Sequence, residues 1–139
     1  MKWLTKLFTP KSGEELRLSN QIKTQRDESL YTMDLTFVNA RIGLFPNSVN
    51  DLQELLDSTL EELDSLHNEG SITEEKLAEL KEEEQRRFRA SIQKEFDRLL
   101  KNLRKKLQKL KEGDDAKIKI RLANIAKELN LSYDGFGDL

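Results

Sequence analysis

The chain has no cysteine, which excludes a disulfide framework, a thiol nucleophile and any zinc site built on thiolates, and makes a reducing compartment its natural setting. With His67 as its single histidine, the chain shows no Ser-His-Asp order. Asp64 stands three residues before His67, half of a helical carboxylate-histidine metal site, but with no second histidine the pair reads as a solvated face. There is no glycine-rich phosphate loop and no G-x-S-x-G. The abundant paired carboxylates fall on helix faces with nothing to desolvate one of them for acid-base work. These gaps lead us to expect no enzyme, no cofactor, no metal and no small-molecule substrate.

Long apolar runs are also missing. Nothing is long enough to span a bilayer, and the N-terminus lacks both the apolar core and the cleavage site of a signal peptide. The expected location is the cytoplasm, or a host's cytoplasm if the source is viral, with a peripheral position at a membrane as a variant. Only two prolines and six glycines occur, too few for a many-turned sheet, and they lie between periodic segments.

What the 139 residues do contain is charge: 36% of them are charged and 36% hydrophobic, against a usual charged share of about 25%. This composition suits one all-α domain over 1–139, an elongated antiparallel helical bundle with a thin core. The bundle is built around one long helix of about 40 residues at 72–112, whose Ser71 and Glu74 have capping-box spacing and whose Gly113 can end it in the left-handed conformation. Phe96, Leu100, Leu103, Leu107 and Leu110 recur at steps of four and three, a coiled-coil-like seam, with Ile92 and Leu99 beside it. Between Lys81 and Arg87 the apolar pattern lapses, with Glu84 where a core residue belongs, so this stretch faces solvent or a partner.

The other segments are sized to pack on that rod. Residues 13–44 read as a helix with two adjacent seams, Leu30, Met33, Phe37, Ala40, Leu44 and Tyr31, Leu35, Val38, Ile42, Phe45. A strand competes over 30–38, where Tyr31, Met33, Leu35 and Phe37 alternate with polar residues. Phe45-Pro46-Asn47 reads as a break, followed by a helix over 48–69 that ends at Gly70 and forms an antiparallel hairpin with the rod. Pairing residues whose numbers sum to about 140 sets Leu52 against Phe88 and leaves the basic half of the rod uncovered from that side. A helix over 115–130, with Ile118, Leu122, Ile125 and Leu129 on one face, covers the upper seam, and 131–139 is a tail. Across the end of that helix and the start of the tail, IAKELNLS at 125–132 resembles the first helix and turn of helix-turn-helix DNA readers, but only seven residues follow, too few for the helix that enters the groove.

The net charge of −2 hides a division. Residues 48–84 carry 13 acidic and 2 basic side chains, net −11, and residues 86–111 carry 11 basic and 2 acidic, net +9. The bland account is the helix dipole plus solvation; the functional one is an acidic and a basic partner surface, or antiparallel self-association.

Candidate interaction residues are Trp3, Leu4, Leu7 and Phe8 of an amphipathic arm over 1–10, Tyr133 and Phe136 of the tail, and the basic stripe Arg87, Lys94, Arg98, Lys101, Lys105, Lys109 opposite the seam. The function expected is that of a helical adaptor or regulator binding another protein or a second copy of itself. Electrostatic binding of nucleic acid or an anionic membrane through the basic stripe ranks second, because the −11 segment would repel the same polyanion.

Overall fold

The computed structural model describes residues 13–135. The chain is all-α: among the described residues it forms three helices and no strand, α1 (Gly13–Asn68), α2 (Glu74–Leu107) and α3 (Glu112–Leu129). No helix among them is long and apolar enough to cross a membrane. Two compact units divide the chain, Met1–Thr36 and Phe37–Leu139.

In the first unit the described residues are all helical, which resolves 30–38 as helix rather than strand. The segment is mostly exposed, and the hydroxyls of Thr24 and Thr32 donate to the carbonyls of Asn20 and Glu28 at 2.8 and 3.0 Å. That back-bonding gives polar residues a local partner without leaving the helix.

The second unit is a helical bundle, and its largest departure from expectation is at Pro46. The expected break into helices 13–44 and 48–69 does not occur; Pro46 lies inside α1. Proline has no N–H to offer the carbonyl four residues back, and its ring crowds that turn, at a cost of about 3 kcal/mol. Tertiary packing overrides the cost, because Val38, Ile42 and Phe45 before the proline and Leu56 after it are all buried. The consequence is topological. The helix expected to stop short of the basic half of α2 continues alongside it, with Phe45 meeting the Phe96 ring at 5.6 Å and Lys106 standing 4.8 Å from the centroid of Phe37.

The hairpin is antiparallel as expected, with a register slightly beyond a sum of 140: Phe45 with Phe96, Phe37 with Lys106, and Asp64 ion-paired to Lys81. Gly70 ends α1 at φ +79°, its N–H bonding to the His67 carbonyl while that of Ser71 reaches Leu66, both at 2.9 Å. This double bond is the Schellman closure, and it needs a residue that tolerates positive φ. The cap of α2 is Thr73, not Ser71; its side chain accepts from the Lys76 N–H at 3.2 Å.

At its other end α2 stops at Leu107 instead of reaching 112, and Gly113 falls in the first turn of α3. Burial accounts for this: Leu107 and Leu110 both turn into the core, which the chain achieves by tightening over residues 108–110. Glu112, Asp114 and Asp115 then favour a helix N-terminus through the dipole.

α3 folds back with Ile118, Leu122 and Ala126 buried. The expected face carried Ile125 and Leu129; Ile125 is half-buried and Leu129 exposed. Arg121 donates to the side-chain oxygen of Asn39 at 3.2 Å, so α3 touches α1 as well as covering the seam, and this second neighbour rotates its buried stripe. The helix closes on Asn130 in the left-handed conformation, with Leu131 N–H donating to the Ala126 carbonyl at 2.8 Å.

Candidate interaction surface

Beyond the reach of α3 the second unit is only a hairpin. From residue 57 to residue 91 no side chain is fully buried. Between the helices runs a groove with two successive depressions. One, of about 260 Å³, is lined by Leu52, Leu55, Leu56 and Thr59 of α1 and Glu84, Arg87, Phe88 and Ser91 of α2. The other, of about 240 Å³, is lined by Arg41, Leu44, Phe45 and Ser48 with Glu95, Arg98, Leu99 and Asn102. Within each helix these residues step by three and four, so both depressions lie on one face.

Three large apolar side chains stand out of that face. Leu44 is 54%, Leu55 65% and Leu66 39% exposed, at intervals of eleven residues along α1. Eleven residues make just over three whole turns, drifting only about 20°, so the three leucines form one stripe. In the sequence the same interval leads back to Met33 and Ile22, which are exposed in the first unit. Periodicity alone assigns Leu44 and Leu66 to core seams and leaves Leu55 undecided against Leu56. Leu56 is the buried one. The interval of eleven is visible in the sequence, but it acquires meaning only when neighbouring leucines are known to take the core positions.

The expected gap at Lys81–Arg87 is bridged by charge. Arg87 donates to Glu83 at 2.8 Å and to Glu84 at 3.1 Å, and Lys81 reaches across to Asp64. Exposed pairs of this kind contribute about 0.2–1 kcal/mol each, too little to hold the hairpin, which leaves Leu56 and the half-buried Leu60, Leu63, Leu77, Leu80 and Phe88 to do so.

All six members of the basic stripe, Arg87, Lys94, Arg98, Lys101, Lys105 and Lys109, are exposed. Arg87 and Arg98 line the groove, Arg98 paired to Glu95 at 3.3 Å. Lys94, Lys101 and Lys105 follow at helical spacing on its rim, whereas Lys109 lies in the turn after α2. Tyr133, expected as an exposed aromatic, is half-buried: its ring meets Phe96 edge-on at 5.8 Å. The tail is fastened there by Gln93, whose amide donates to the Ser132 carbonyl at 3.1 Å and accepts from the Ser132 N–H at 2.7 Å. Trp3, Leu4, Leu7, Phe8 and Phe136 lie outside the described residues.

Chemically, neither depression gathers polar groups around an enclosed point; the one at Leu55 is an open, mainly apolar trough and the one at Leu44 an open trough of mixed lining, each with acidic and basic side chains among its walls. Among the described residues no group of three or more His, Asp or Glu side chains could hold a metal ion. Compared with known proteins, the chain matches no family model, no curated protein and no solved structure.

Proposed function

We propose that this protein is a non-enzymatic helical interaction module, an adaptor or regulator that binds another protein chain through the grooved face of α1 and α2. The observation that carries this reading is the stripe of Leu44, Leu55 and Leu66, three exposed leucines in line beside a groove that is mainly apolar at Leu55. Single exposed leucines are ordinary; an aligned set with a charged rim is the pattern of a helix-binding surface. The test is a photo-crosslinking side chain placed at Leu55 and, as control, at the exposed Asp57, which points away from the stripe. Protein adducts from position 55 and not from position 57 support the reading, and adducts from neither, or equally from both, overturn it.

A second reading rests on Lys94, Lys101 and Lys105, which are exposed and in no ion pair among the described residues. They could lie along phosphates of a nucleic acid or an anionic membrane without reading bases. Changing Lys94, Arg98, Lys101 and Lys105 to Gln would then weaken binding and flatten its salt dependence, by about 0.9 in log-log slope for each phosphate no longer neutralised on duplex DNA. An unchanged gel shift and unchanged sedimentation with anionic vesicles would eliminate this reading.

A further inference from the structure

We infer that the partner on the grooved face is a second copy of this chain, laid antiparallel about a two-fold axis at Leu55; the inference rests on the reading of that face as an interaction surface. Two independent midpoints coincide there. The first is apolar: Leu44 and Leu66 stand eleven residues to either side of Leu55, roughly 16 Å each way at 1.5 Å per residue. Rotation about an axis through Leu55 therefore sets Leu44 of one protomer opposite Leu66 of the other and Leu55 opposite itself, the self-complementarity a two-fold contact requires.

The second midpoint is electrostatic. Residues 48–84 carry net −11 and residues 86–111 net +9, so the sign changes at Gln85. The α2 residues lining the groove together with Leu55 are Glu84, Arg87, Phe88 and Ser91, which straddle that change. An antiparallel copy thus places its acidic hairpin end over the basic rim at Lys94, Arg98 and Lys101, and receives the same in return. A parallel copy would stack like charge on like along the whole face, and a foreign helix would have to supply the same reversal of sign at the same level. The second copy has it by construction.

The absence of cysteine makes the test direct, since any thiol introduced is the only one present. In the full-length chain L55C should crosslink to itself under mild oxidation or with a short bis-maleimide. A mixture of L44C and L66C should form the heterodimer, while L44C alone and L66C alone should not. Light scattering should give twice the chain mass, falling toward the monomer as salt is raised. L55D should raise the dissociation constant by about a hundredfold or more with an unchanged far-ultraviolet spectrum, because Leu55 is outside the core. A monomer at the highest concentration reached, links of 44 to 44 and 66 to 66, or residues 1–12 of the same chain crosslinked to position 55 would each overturn the inference. If the purified chain is monomeric while the photo-crosslinker at 55 captures a different protein, the self-pairing fails and the interaction reading stands; if position 55 captures nothing, both fail.

Discussion

Phe96 is the residue at which three segments of the second unit meet. Its ring is fully buried, tilted against Phe45 of α1 on one side and edge-on to Tyr133 of the tail on the other. Aromatic pairs of this geometry contribute about 0.5–1.5 kcal/mol beyond area burial. Phe96→Ala should therefore lie at the upper end of core truncations, about 3–5 kcal/mol by chemical denaturation, and should expose tyrosine fluorescence to quencher as the tail loses its seat. Tyr133 adds a dependence on pH. Burial, followed by the nearby carboxylates of Asp134 and then Asp115, raises its pKa above the ordinary 10.0. The folded phenol therefore holds its proton longer than the unfolded one, so its contribution is fully present below pH 10 and is lost as pH rises through the folded value. Relative to wild type, Tyr133→Phe should keep its denaturation midpoint better as pH rises above 10, where the unfolded phenol gives up its proton before the folded one. Parallel decline of the two proteins would show that Tyr133 does not sense pH. Such a seat for a tail tyrosine had no periodic signal; followed directly by Asp134 and Gly135, it read as loop.

At the level of elements, what was legible followed from periodicity, and what was not followed from competition between local cost and distant packing. The seam from Phe96 to Leu110 could be read because leucine and phenylalanine at steps of three and four leave one solution for a helix that must bury a face. The end of α1 was read correctly from Gly70, whereas Gly113 was misread as the end of α2 because burial of Leu107 and Leu110 ends that helix earlier, and Ser71 was misread as a cap where Thr73 serves. Pro46 is the instructive failure. Locally it argues for a break, and nothing near it in the sequence says that Phe45 and Ile42 will find α2 far along the chain. The same argument yields a prediction. Pro46→Ala restores a donor toward the Ile42 carbonyl and removes the ring clash, worth about 3 kcal/mol, less the ~1 kcal/mol by which proline restrains the unfolded chain. Thermal and urea unfolding should show a gain of roughly 2 kcal/mol. A loss instead would mean that a bend at the proline is what seats Phe45 on Phe96.

For the second unit as a whole, the distribution of its core decides which part opens first. Twelve of the thirteen buried apolar residues lie between Val38 and Phe45, between Ile92 and Leu110, or in α3, and Leu56 alone is buried outside those stretches. The hairpin end therefore rests on half-buried leucines and exposed ion pairs, while the part covered by α3 has three helices sharing one interior. Local opening of the hairpin exposes little apolar surface, so its free energy must fall well below that of global unfolding, which is of order 5–15 kcal/mol for a domain. Amide hydrogen exchange followed by mass spectrometry on the dilute protein should show the slowest amides at 38–45, 92–107 and 118–126, and faster ones at 57–91 that exchange without global unfolding. Protection at 57–91 should rise with protein concentration, since a partner covering Leu55 and Leu66 removes from water the surface that opening would expose, and the rise should shrink at high salt. Protection at 92–107 should be nearly indifferent to both. Uniformly slow exchange through the hairpin at every concentration would mean that α1 and α2 hold each other there without help, and that the leucine stripe contributes nothing to the stability of this end.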